Sequence, residues 1–193
     1  SYLGGQWSGS VTARYVVGVP ASADSLVISE IMYHPADPTP SEVAAGYIDD
    51  GVFEYLEFQN VSHQTIELSG VIISECFPYD FSGAEITTIP PGGVLLVVRN
   101  RAAFELRYGT GLPVAGQWGD PSSPSGGANL SNSGERVLIT AANGDVIHDF
   151  TYSDRGAWPT APDGNGPSLE LSSPFGLPDH GLAASWKSSA EPS

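Results

Sequence analysis

The longest unbroken aliphatic run in this chain is five residues, Val94–Val98, and it follows directly on Pro90-Pro91-Gly92-Gly93. A run that short, set off by a turn signal, suits a buried strand and falls far below the ~20 apolar residues of a bilayer span. The same punctuation recurs. Residues 26–33 (LVISEIMY) stop at His34-Pro35, where proline holds the preceding residue extended and cannot donate to a central ladder. With 23 glycines and 16 prolines in 193 residues, turns are dense enough for many short strands. The chain reads as an all-β domain long enough to bury a core without disulfides or metal.

Residues 53–59 are a second strand, with Leu56 and Phe58 on one face and Tyr55 and Glu57 on the other. Further strands are expected at 65–68, 71–74 and 168–171. Asn143-Gly144 signals a two-residue type I′ hairpin turn. That turn pairs Val137 with Phe150 and Ile139 with His148. It puts Val137, Ile139, Ala141, Val146, His148 and Phe150 on the core face, and Arg136, Leu138, Thr140, Ile147, Asp149 and Thr151 outside. One short helix is predicted near 101–108. Asn100 caps it, Arg101 and Glu105 pair at i,i+4, Phe104 and Tyr108 share a face, and Gly109 ends it. Residues 36–52 and 110–133 read as loops, and the segment after Pro174 as an extended exit.

Charge excludes more than it assigns. There are 22 acidic residues against 7 basic ones, a net −15, and Lys187 is the single lysine. Such a surface repels phosphate backbones and anionic membranes and favours basic partners and divalent cations. One cysteine, Cys76, permits no internal disulfide and reads as a buried, inert thiol. There is no Gly-x-Ser-x-Gly elbow, no His-Glu-x-x-His and no phosphate-cradling loop, so nothing here predicts an enzyme.

The candidate site is a carboxylate cluster. Glu30, Glu54 and Glu57 lie on two strands that can be neighbours, and Asp49 and Asp50 precede the second. Converging, they offer the oxygen ligands a hard cation such as calcium takes. The alternative is that these groups face solvent or arginine. The alternation around Glu30 leaves both open, since Ile28 with Met32 and Val27 with Ile31 compete for the core. Asp163-Gly164-Asn165-Gly166 reads as a glycine-rich turn, and His148 as a hydrogen-bonded core histidine. Of Trp7, Trp118, Trp158 and Trp186, Trp118 is expected to be the most exposed and is the candidate for a binding contact.

Taken in order, several stretches resemble a lamin tail domain in the form carried by large bacterial envelope or secreted proteins. They are residues 26–35 (LVISEIMYHP), 54–60 (EYLEFQN), 66–70 (IELSG), 89–98 (IPPGGVLLVV) and 104–109 (FELRYG). Residues 130–134 (LSNSG), 142–152 (ANGDVIHDFTY), 166–171 (GPSLEL) and 186–189 (WKSS) continue the match, across about 24–190. The resemblance implies an immunoglobulin-like β-sandwich with Greek-key connections and no catalytic centre. It implies a non-catalytic interaction or attachment module of a multidomain secreted or cell-envelope protein, bacterial in origin. Such a module binds a protein or surface through loops or a sheet edge, beside other domains of the same parent chain; here the acidic balance departs from any DNA contact ascribed to lamin tails, so no nucleic acid is expected, and no apolar run is long enough for membrane insertion. The expected cofactor is none. The alternative is a calcium-dependent adhesion or carbohydrate-binding module. The expected organisation is a strand remnant of a preceding fibronectin- or chitobiase-C-terminal-like module plus linker at 1–23, the sandwich at 24–175, and an extended tail at 176–193.

Overall fold

A computed structural model describes residues 18–120 and 127–190, together with the backbone of residues 2–3 and 6–7. In chain order the strands are β1 (Tyr2–Leu3), β2 (Gln6–Trp7), β3 (Val19–Pro20), β4 (Leu26–Met32), β5 (Tyr55–Asn60), β6 (Ile66–Glu67) and β7 (Ile72–Ser74). Next come β8 (Tyr79–Asp80), β9 (Thr88–Ile89), β10 (Val94–Val98) and β11 (Val114–Gln117). The last are β12 (Arg136–Thr140), β13 (Val146–Thr151), β14 (Leu169–Leu171) and β15 (Trp186–Ser188). Two α-helices, α1 (Pro40–Ala44) and α2 (Arg101–Tyr108), interrupt them.

One layer is a six-stranded sheet in the order β11-β10-β5-β4-β14-β15. The other is built from a four-stranded sheet, β13-β12-β7-β8, and a three-stranded one, β3-β6-β9. Ile28, Leu56, Phe58 and Val97 from the first layer share one core with Ile66, Ile73, Ile89, Val137 and Ile139 from the second. This is the mostly-β sandwich that the runs and turns predict. Cys76 lies in that core, and burial pushes its thiol up to about 12. The outer face of the six-stranded sheet is covered in part by α2, where Phe104 and Tyr108 pack on Met32, Tyr55, Leu96 and Val98.

Helix α2 carries its predicted devices. The Asn100 side chain accepts from Ala103 N at 3.0 Å, Arg101 Nε donates to Glu105 Oε1 at 2.9 Å, and Gly109 is the C-cap. Helix α1 was expected as loop. Its signal is Thr39-Pro40-Ser41-Glu42, a capping box with proline in the first turn.

Three expectations need correction. Residues 19–21, expected within the preceding module and its linker, belong to the sandwich: β3 pairs with β6 and Ala21 is in the core. Of the expected preceding module, β1 and β2 pair antiparallel with each other, and its other residues before Gly18 lie outside the described residues. The tail does not leave as an extended exit either: β15 pairs with β14, because Trp186 is buried against Phe150 and Trp158.

The hairpin turn is the third correction. Val137 faces Phe150 and Ile139 faces His148 as predicted, but the register slips between Ile139 and Thr140. A type I′ turn needs positive φ at both central residues, and only Gly144 (φ 88°) has it. Gly144 N bonds Ala141 O and Ala141 N bonds Asp145 O, a longer loop ending in a bulge. The bulge exchanges two side chains, so Ile147 is buried and Val146 is 55% exposed.

Candidate functional site

The five candidate carboxylates end in different places. A bulge at Ser29 settles the ambiguity around Glu30: Val27, Ile28, Ile31 and Met32 are all buried, and Glu30 turns to the outer face. There Glu30 sits opposite Glu57 on one side and Glu170 on the other, with Lys187 opposite Glu170. Like charges facing across strands repel, and hydroxyls hold this row in place. Tyr55 donates to Glu30 at 2.6 Å, Ser168 donates to the same oxygen, and Ser29 donates to Glu57 at 2.7 Å. Burial raises the Glu57 carboxyl above its usual range. The Ser29 bond opposes that rise, and Glu30 and Glu170 add to it.

Glu54 turns inward and is 1% exposed. Its Oε2 accepts from Leu130 N at 2.8 Å. Burial pushes it up to about 9, against the downward pull of that bond and of the buried Arg99 guanidinium. Gly51 makes room for the group: a Cβ there would meet Asn129 Nδ2 at 2.7 Å, Glu54 Oε1 at 3.1 Å and Arg99 Nη1 at 3.2 Å. Asp49 caps the 3-10 turn at Asp50–Phe53, accepting from Gly51 N at 3.0 Å. Asp50 approaches His34 Nε2 at 3.5 Å, while His34 Nδ1 contacts Asp163 at 2.6 Å. The glycine-rich turn after Asp163 thus closes on His34, with Gly164 at φ 76°. Glu30 and Glu57 are brought together; Glu54, Asp49 and Asp50 serve separate contacts. Among the described residues no group of three or more His, Cys, Asp or Glu is arranged to hold a metal ion.

Trp118 is half-buried rather than prominent. Its ring stacks on Phe77 with centroids 3.9 Å apart, and its Nε1 donates to Ala128 O at 2.9 Å. One face and the polar edge are therefore already engaged.

The feature that sequence reasoning brought only half into view is the edge at β13. It is the longest of the strands that end a sheet, at six residues against four for β11 and three for β15. The β11 edge is met by Glu85 N, which donates to Ala115 O at 2.9 Å. On β13 the bond from Tyr152 N to Glu135 O fixes the alternation. Phe150 and His148 turn their backbone groups toward β12, and Asp149 and Thr151 turn theirs outward. Among the described residues neither Asp149 nor Thr151 has a backbone partner on that side. Arg136 grips Asp149 with Nε at 2.7 Å and Nη2 at 2.8 Å, and lies 3.5 Å from Glu75.

Beside β13, residues 173–182 form a strap that no sequence signal announced. His180 closes it onto the sandwich. Its ring lies 4.2 Å from that of His148 and 5.2 Å from that of Phe150. His148 Nε2–H donates to Leu26 O at 2.7 Å, and His180 Nε2–H to Ile28 O at 3.2 Å. Burial lowers both histidines, His180 to about 3, and keeps them neutral. The strap exposes Phe175, Leu177 and Leu182, with Leu177 in left-handed backbone (φ 50°). The arrangement offers main-chain donors and acceptors next to apolar side chains, which suits polypeptide recognition.

Residues 20–154 match the family model of the lamin tail domain. No curated protein matches the chain.

Proposed function

The chain belongs to the lamin tail domain family, a family of protein-interaction modules, and from that premise we propose that it is a non-catalytic attachment module. Its setting in this reading is a multidomain secreted or cell-envelope protein of bacterial origin, which it tethers to a protein or surface partner through a free sheet edge. The observation that carries the reading is the β13 edge, which among the described residues is open and is the longest strand margin, with Asp149 and Thr151 directing backbone groups outward. The net charge of −15 speaks against nucleic acid and anionic lipid as the partner. No helix among the described residues is long and apolar enough to cross a membrane. Chemistry has little to work with here: the most shifted carboxylate, Glu54, is 1% exposed.

The test is retention. The full chain fused to a fluorescent protein is applied to cells of the organism that encodes it, and bound fluorescence is measured after washing. Several-fold retention over the fluorescent protein alone is expected. Equal washing-off of the two ends the attachment reading.

A further inference from the structure

The open edge is one wall of a groove. A cavity of about 180 Å³ is lined by Val27, Ile147, Phe150, Leu177 and His180, among others. A second, of about 710 Å³, runs from Ala21 and Asp24 to Asn143 and Val146. The two share Ala23 and Ile147 and so lie side by side, one against Ile147–Phe150 and the other against the start of β13. Six residues of strand make this wall about 20 Å long. The turn at residues 20–24 and the strap at 177–180 form the other wall.

Shape and charge narrow the occupant. A wall of outward N–H and C=O groups spaced at every second residue is satisfied by another backbone, not by a compact small molecule. Exposed Val146 and Leu177 in its lining offer apolar contact to side chains at alternate positions. Asp24, Asp145, Asp149 and Asp179 line the groove, and among the described residues no lysine or arginine does; Arg136 already holds Asp149, which leaves Asp24, Asp145 and Asp179 to meet a cation. A second copy of this chain would bring another net −15 and set carboxylates against carboxylates. We propose that the groove takes one extended strand of a basic polypeptide, which adds to β13 with aliphatic side chains against Val146 and Leu177 and lysine or arginine side chains toward the aspartates. This rests on the attachment reading above and names its partner's chemistry.

The test uses the full chain and three probes: acetylated ten-residue peptides alternating lysine with valine, glutamate with valine, and lysine with proline. The readout is hydrogen exchange at the Asp149 and Thr151 amides. The lysine–valine peptide is expected to slow both by about tenfold or more, and the other two to leave them unchanged. Two variants isolate the site. Thr151→Pro removes an outward N–H that the β12 ladder does not use, so protection is lost at an unchanged melting temperature. Ala23→Arg sets a bulky cation on an exposed turn in the groove and abolishes protection even if the proline variant fails to fold. Equal protection by the glutamate–valine peptide overturns the basic partner while the edge stands. Protection that appears without peptide, together with a concentration-dependent dimer, assigns the groove to a second copy and overturns the proposal. No protection by any peptide, with the fluorescent fusion still retained on cells, overturns the groove and leaves attachment standing. Loss of retention as well overturns both.

Discussion

Two buried polar centres sit at opposite ends of the β4–β5 pair, and burial treats them in opposite ways. Where Met32 faces Tyr55, Glu54 is held protonated, pushed up to about 9. Where Leu26 faces Asn60, His148 and His180 are held unprotonated, His180 at about 3. One cause, removal from water, adds a proton to an acid and withholds one from a base, because in both cases the neutral form is cheaper to bury. The two ends therefore give stability opposite slopes with pH.

A third buried group defines the comparison by exception. Glu42 is 5% exposed yet stays ionised, held down to about 2. Arg107 supplies the reason: its Nε and Nη2 each reach a Glu42 oxygen at 2.8 Å, and its guanidinium lies 3.4 Å from the Phe53 ring centroid. Arg107→Met strands that carboxylate. It should give the largest effect, a loss of about 3 kcal/mol in urea unfolding at pH 7. An unchanged urea midpoint would mean that the pair contributes nothing.

Next in size is the histidine end. The folded values lie below the unfolded one, so the stability they provide is complete above pH 6.5 and is lost as pH falls from there toward about 3. The loss approaches about 1.4 kcal/mol per pH unit for each histidine that the unfolded chain protonates. His180→Phe keeps a ring against Phe150 and Trp186 and should flatten this limb between pH 6.5 and 4. Parallel curves for the variant and the wild type would break the comparison.

The Glu54 end has the reverse sign. Its folded value is raised, so its contribution is complete below pH 4.5 and is lost as pH rises toward about 9. Glu54→Gln should lose this slope and gain up to about 1.4 kcal/mol per pH unit on the wild type between pH 6 and 8. A difference that stays flat between pH 6 and 8 would show that Glu54 is ionised when folded. The smallest effect is expected from calcium. With Glu54 inside, Asp49 capping and Asp50 at His34, millimolar calcium should shift the melting temperature by less than about 1 °C. A clear rise would reinstate the Glu30–Glu57 row as a metal site.

Local devices were legible. Strand β10 has the bounds its apolar run predicts, helix α2 has its cap, pair and stop, and the Val137–Phe150 and Ile139–His148 pairs are in place. Each rests on residues close in sequence, so local rules reach it. The candidate site was less legible. Glu30 and Glu57 lie on neighbouring strands as expected, but it is the bulge at Ser29 that sets them opposite each other. The fate of Glu54 depends on Leu130, 76 positions away, and that of Asp50 on His34 and Asp163.

By itself, then, the sequence determined where chain becomes strand and turn, and that the surface is acidic, since periodicity and charge are properties of neighbours and of sums. Only the tertiary structure decided which acids are buried and which edge stays open. It also decided that a strap carrying His180 closes beside β13. These depend on which distant segments exclude water from a given group, and that is set by packing across the two layers.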